Sequence, residues 1–147
     1  LLRDRLGGRP LELEIDPLLD LDCDRDGMTQ VLINLLTNAL DACPLPGRVG
    51  VQCEALDDGR LRLCVWDMGP GLQADIGKLF QPWFTTKKTG SGLGLPITRR
   101  LVRAHGWEIG AQRRRDRTCF DVLIPREEWH LRPPPLDEGQ FESGPLK

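Results

Sequence analysis

Hydrophobic residues recur along this 147-residue chain with two different periods. From about Asp26 the apolar positions Val31, Leu32, Leu35, Leu36 and Ala39 return every three to four residues. This spacing predicts a long helix, and Pro44 blocks its continuation. Residues 11–15 instead alternate apolar and acidic, as a half-buried strand does, until Asp16-Pro17 ends the run. Residues 49–55 and 60–66 flank "LDDGR", whose Asp58-Gly59 predicts a hairpin turn between two antiparallel strands. A short helix is expected over 74–80. The stretch 81–94, rich in Thr, Lys and Gly, reads as a loop of the kind that closes over ligands. Pro96 suits the first turn of a helix with Ile97, Leu101 and Ala104 on its apolar side and Gly106 at its end. Residues 108–112 and 118–124 read as a final hairpin. Helices packed on one side of a largely antiparallel sheet make an α+β two-layer sandwich. Residues 1–10 read as a linker remnant, 11–125 as one domain, and 126–147, proline-rich and without periodicity, as a tail docked at most through Trp129 or Phe141.

Charge and composition narrow the functions available. The formal net charge is −2 with both signs interspersed, so no extended positive field exists to hold nucleic acid. The basic run 113–115 is read as a solvated turn with no functional role. Cys23, Cys43, Cys53, Cys64 and Cys119 are scattered without a Cys-x-x-Cys pair, which fits reduced thiols in the cytosol better than a zinc site or a secreted disulfide framework. No apolar stretch approaches the roughly 20 residues that cross a bilayer. With no signal peptide or initiator methionine, the chain reads as a cytoplasmic fragment of a parent that is free to be membrane-anchored elsewhere.

Candidate chemistry begins with a polar stripe. Spacings of four and three put Asn34, Asn38 and Asp41 on one face of the long helix. A polar face among leucines costs free energy unless it meets water, a partner or a ligand, which makes a ligand-bound metal ion worth seeking there. Two glycine clusters lie further along, "DMGPGL" from Asp67 and "TGSGLGL" ending at Leu95. Backbone amides in the second, immediately before a helix, suit a phosphate chain. It lacks the Gly-Lys-Ser/Thr ending of a Walker loop.

The order of asparagine helix, Asp-x-Gly-x-Gly, "LFQPWFTTK" and "GSGLGL" resembles the ATP-binding catalytic domain of sensor histidine kinases, of the gyrase/chaperone/mismatch-repair superfamily and nearest the nitrogen-regulation type. The likeness covers roughly residues 11–125. It implies the Bergerat ATP-binding fold, with ATP and Mg2+ as ligands. Asn38 matches the family's magnesium asparagine, Asn34 a second polar contact near the phosphates, and Asp41 a position that could hold a metal-bound water. Asp67 with Gly69 and Gly71 matches the adenine box, where a carboxylate accepts from adenine's exocyclic amine. Thr118 stands where relatives place a supporting threonine, although Arg117 replaces their glycine. Thr86, Lys87, Gly90, Ser91, Gly92, Leu93 and Gly94 match the phosphate loop and lid, and Phe80, Pro82 and Phe84 match the phenylalanine box whose aromatic rings pin one end of that lid. Asn34 and Lys87 are the candidate catalytic pair.

Hydrolysing relatives carry a glutamate where this chain has Asn34, and an amide cannot take a proton from water at neutral pH. Phosphoryl transfer to an external nucleophile is therefore the expected chemistry. By the resemblance, the acceptor is a histidine on an upstream dimerisation domain of a homodimeric parent, and a response regulator receiver domain takes the phosphoryl from it. His105 is expected to pack at a helix end. His130, followed by three prolines, is no acceptor. The alternatives are an ATP-operated conformational clamp, a non-catalytic nucleotide-binding regulatory module or a serine kinase of the anti-sigma type.

Overall fold

A computed structural model describes residues 2–72, 75–82 and 94–136. Helix α1 (Leu2–Leu6) precedes strands β1 (Glu12–Glu14) and β2 (Leu19–Leu21), then the long helix α2 (Arg25–Ala42). Strands β3 (Val49–Ala55) and β4 (Leu61–Asp67) form the hairpin around Asp58-Gly59, where Gly59 takes a left-handed φ of 89°. Helix α3 (Ile76–Leu79) and helix α4 (Gly94–Ala104) lead to β5 (Glu108–Arg114) and β6 (Arg117–Ile124). The five-stranded sheet has the order β1-β3-β4-β6-β5, parallel at β1/β3 and antiparallel elsewhere.

The period of two along β4 and β6 sorts side chains between two environments. Leu61, Leu63 and Val65 of β4, with Phe120, Val122 and Ile124 of β6, join Val31, Leu35 and Val102 in one core. Cys64, Trp66 and Cys119 form a separate cluster on the reverse face. Trp66 is fully buried there because its ring lies over Gly50, where a Cβ would come within 2.4 Å of it. The Arg117 guanidinium lies over the ring, 3.7 Å from its centroid.

Three features depart from the sequence reading. The core side of α4 is Leu95, Thr98, Leu101 and Val102, while Ile97 is 43% exposed and Ala104 is exposed. A periodicity count passes over threonine, yet the Thr98 hydroxyl donates to Gly94 O at 2.8 Å and can be buried at little cost. After Pro125 the chain is not featureless: a 3-10 turn (Arg126–Glu128) leads into β7 (Trp129–Leu131), which pairs antiparallel with β2. Trp129 Nε1–H donates to Gly59 O at 3.1 Å, so a long-range partner supplies what local periodicity lacks. The arginine run 113–115 is not simply a solvated turn. Arg113 and Arg114 belong to β5 and both are engaged, while Arg115 occupies the turn with φ 55°.

Candidate functional site

Asp24 caps α2 by accepting from Gly27 N–H at 2.9 Å, and its own N–H donates to His105 Nε2 at 3.0 Å. Since Nε2 accepts, Nδ1 is the protonated nitrogen and donates to Leu101 O at 2.9 Å. His105 also stacks on Trp107. This histidine therefore ties the end of α4 to the start of α2, in keeping with the packing role expected of it.

The apolar stripe of α2 faces the sheet and leaves Asn34 and Asn38 half-buried along its flank, with Asp41 exposed. Both ends of the Asn34 amide have protein partners. Its Oδ1 accepts from Gln30 Nε2 at 2.7 Å, and its Nδ2 donates to the Thr98 hydroxyl at 3.1 Å, with Gly94 O at 3.5 Å. Asn38, one turn on, makes no hydrogen bond among the described residues. Asp41 is ion-paired with Arg5 of α1.

Asp67 closes β4 on the helix side of the sheet, directly opposite Thr118 of β6. It is 2% exposed, and its Oδ1 accepts from Gly69 N–H at 2.9 Å. Burial pushes its carboxyl above the ordinary range, with the Gly69 N–H and the Arg113 charge only partly offsetting that. Gly69 is required sterically: a Cβ there would lie 2.3 Å from Ala42 O at the end of α2. Gly71 takes a left-handed φ of 101°. The loop after Asp67 is thus pressed onto the helix that carries the asparagines.

Arg113 and Thr98 are the two residues that the sequence reading missed. Arg113 Nη1 donates to Gly69 O at 3.0 Å and to the Thr118 hydroxyl at 2.8 Å, bracing the loop and the threonine against each other. Only the register of β5 on β6, which places Arg113 opposite Thr118, reveals this role. Thr98 joins α4 to α2 through Asn34. Phe80, at the end of α3, is buried edge-on against Phe120 with ring centroids 6.5 Å apart. Gly94 opens α4; Phe84, Thr86, Lys87, Gly90, Ser91, Gly92 and Leu93 lie outside the described residues.

Residues 23–128 match the family of histidine kinase-, DNA gyrase B- and HSP90-like ATPases. The chain belongs to this family. Within it, the chain is an ATP-binding catalytic domain of the sensor histidine kinase type. It is 35% identical over 100 residues to the signal transduction histidine-protein kinase AtoS of Escherichia coli, covering 67% of this chain and 16% of that protein. Against the C4-dicarboxylate transport sensor protein DctB of Rhizobium meliloti the figures are 41% over 133 residues, 86% and 21%. The chain therefore spans about a fifth or less of the curated relatives it matches. Among solved structures, the mycobacterial sensor histidine kinase MprB superposes with a TM-score of 0.74 at 28% identity, covering 84% of this chain and 88% of that one. The histidine kinase ThkA in complex with the response regulator protein TrrA superposes with a TM-score of 0.68 at 29% identity, covering 85% and 37%. The fold is the α+β sandwich of these catalytic domains, as the sequence pattern implied. No helix among the described residues is long and apolar enough to cross a membrane.

Proposed function

We propose that this domain binds Mg-ATP and donates the γ-phosphoryl to a histidine on a dimerisation domain of its parent protein, from which a response regulator receives it. The observation that carries the reading is the buried Asp67 carboxylate. One oxygen is committed to Gly69 N–H, which leaves the other to accept from the exocyclic amine of adenine. Guanine presents an oxygen at that position and would be refused. Gly69, Gly71, Thr118 and Arg113 hold the carboxylate and its loop in place.

Asn38 would supply one amide oxygen to magnesium, a hard cation that keeps several waters and needs no all-protein cage when phosphates share it. Bound magnesium would neutralise charge on the triphosphate. Thr86, Lys87, Gly90, Ser91, Gly92, Leu93 and Gly94 are proposed as the phosphate-side contacts, with Lys87 as the cation nearest the transferring group. Asp41, paired with Arg5, is proposed to act no closer than through a water.

Asn34 decides between transfer and hydrolysis once nucleotide is bound. Both ends of its amide are used by Gln30 and Thr98, and an amide is no base at neutral pH, so this residue activates no water. This disfavours the clamp reading, which needs hydrolysis, and supports transfer driven by positioning and charge neutralisation. The test is to mix the chain with a separately made histidine-bearing dimerisation domain, Mg2+ and labelled ATP. Acid-labile phosphate on the histidine is expected, with little free phosphate from the chain alone. Rapid hydrolysis with no transfer would favour the clamp, and tight ATP binding with neither would favour a regulatory module.

A further inference from the structure

The reverse face of the sheet holds chemistry that nucleotide binding does not use. Cys64 stands opposite Asp121 and Cys119 opposite Trp66, so the two thiols are diagonal neighbours across β4 and β6. Both are only 2% exposed, yet both line a cavity of ≈ 320 Å³ together with Gln52, Trp66, Arg114 and Arg117. The Arg114 guanidinium is gripped by both oxygens of Asp121, at 2.6 and 2.8 Å, and its Nη2 reaches Cys64 Sγ at 3.3 Å. The Cys119 Sγ–H points to Arg117 O at 3.8 Å, and the Cys64 thiol beside it does most to hold the Cys119 thiol below its ordinary range. The Arg114 and Arg117 charges act in the same direction against burial and Asp121. Cys64 is pushed up in return, and burial pushes up Cys23 and Cys53 as well. The thiolate is the reactive form of cysteine, so these surroundings separate Cys119 from those three.

We propose that Cys64 and Cys119 form a dithiol site that reacts with small hydroperoxides. The Cys119 thiolate attacks the terminal peroxide oxygen, a sulfur–oxygen bond forms, and the O–O bond breaks. The leaving hydroxide or alkoxide takes up a proton, and the sulfur is oxidised to sulfenic acid. Cys64 then attacks that sulfur through its own thiolate; the S–S bond forms, the S–O bond breaks, and water carries away the oxygen with the Cys64 proton. Arg114 and Arg117 favour the anionic sulfur and the departing oxyanion. The cavity admits a peroxide of a few atoms, while the low exposure of both sulfurs excludes bulky electrophiles. The linkage would join β4 and β6 beside Asp67 and Thr118, which follow Trp66 and precede Cys119.

The full chain is treated with a few equivalents of hydrogen peroxide, freed of excess peroxide, then unfolded in denaturant containing an alkylating agent and mapped by mass spectrometry, with a sulfenic-acid trap in the denaturant in parallel. The expected result is a Cys64–Cys119 linked peptide pair lighter by two hydrogens, reversed by dithiothreitol. Cys23, Cys43 and Cys53 should still be alkylated. Cys64→Ser should leave Cys119 as the trapped sulfenic acid, and Cys119→Ser should abolish the linkage and leave Cys64 alkylated. Oxidation that reaches Cys23, Cys43 or Cys53 before Cys119, or a trapped sulfenic acid on Cys64 in Cys119→Ser, overturns the proposal. Site mapping on the unsubstituted chain decides the matter even if a serine variant fails to fold.

Discussion

Replacing Asp67 by Asn changes one oxygen to an NH2 group in a site whose geometry defines the consequence. Asp67 Oδ1 is held by Gly69 N–H, so the asparagine keeps its carbonyl oxygen there and turns its amide nitrogen toward the ligand. A donor then faces the exocyclic amine of adenine, itself a donor. A hydrogen bond to a charged acceptor contributes about 1.5–3 kcal/mol, so affinity should fall by about 10- to 150-fold. Stability should move the other way. The folded-state pKa of Asp67 is raised by burial, so the acid contributes stability that is complete below its unfolded pKa and is lost as pH rises through the folded value. Above that folded value the carboxylate is a buried charge, and removing it there should leave the nucleotide-free protein as stable as before or more so. Calorimetric titration with Mg-ATP and urea unfolding from pH 4 to 8 measure the two effects on the same samples. An Asp67→Asn protein that binds Mg-ATP within threefold of the parent would refute the reasoning, as would a stability that falls in parallel with affinity.

Asn38→Ala should remove the magnesium-dependent part of ATP affinity while leaving binding in EDTA nearly unchanged, which titrations with and without the metal will compare. Gly69→Ala forces a Cβ against Ala42 O and should cost about 1–3 kcal/mol in urea unfolding, as overpacking does, together with nucleotide affinity. Thr98→Val keeps the shape but strands the Asn34 amide and should cost about 1–3 kcal/mol by the same measurement. Arg113→Ala should weaken ATP binding and cost about 1–3 kcal/mol in urea unfolding, because it strands the buried Thr118 hydroxyl and removes a charge beside Asp67.

The outcome at each residue reflects the range over which its determinants act. Helix α2, the β3/β4 hairpin, the stop after Ala104 and the glycine loop behind Asp67 were all legible in the chain, because periodicity, Asp58-Gly59, Gly106 and Asp67-x-Gly69-x-Gly71 are local signals. Of the candidate site, the burial of Asp67 at the end of an alternating strand was legible in the same way. Other features depend on partners distant in sequence. Thr98 is buried on α4 because Asn34, 64 residues away, and its own helix satisfy its hydroxyl. Strands β2 and β7 exist because each completes the other across more than a hundred residues. Arg113 becomes a brace only when β5 lies in register with β6 and sets it opposite Thr118. The chain by itself thus determined the long helix, the β3/β4 hairpin and the glycine turn behind Asp67. Tertiary packing alone decided which polar groups were consumed by one another, as Thr98 and Asn34 are, because a hydrogen bond between distant residues leaves no periodic trace in either segment.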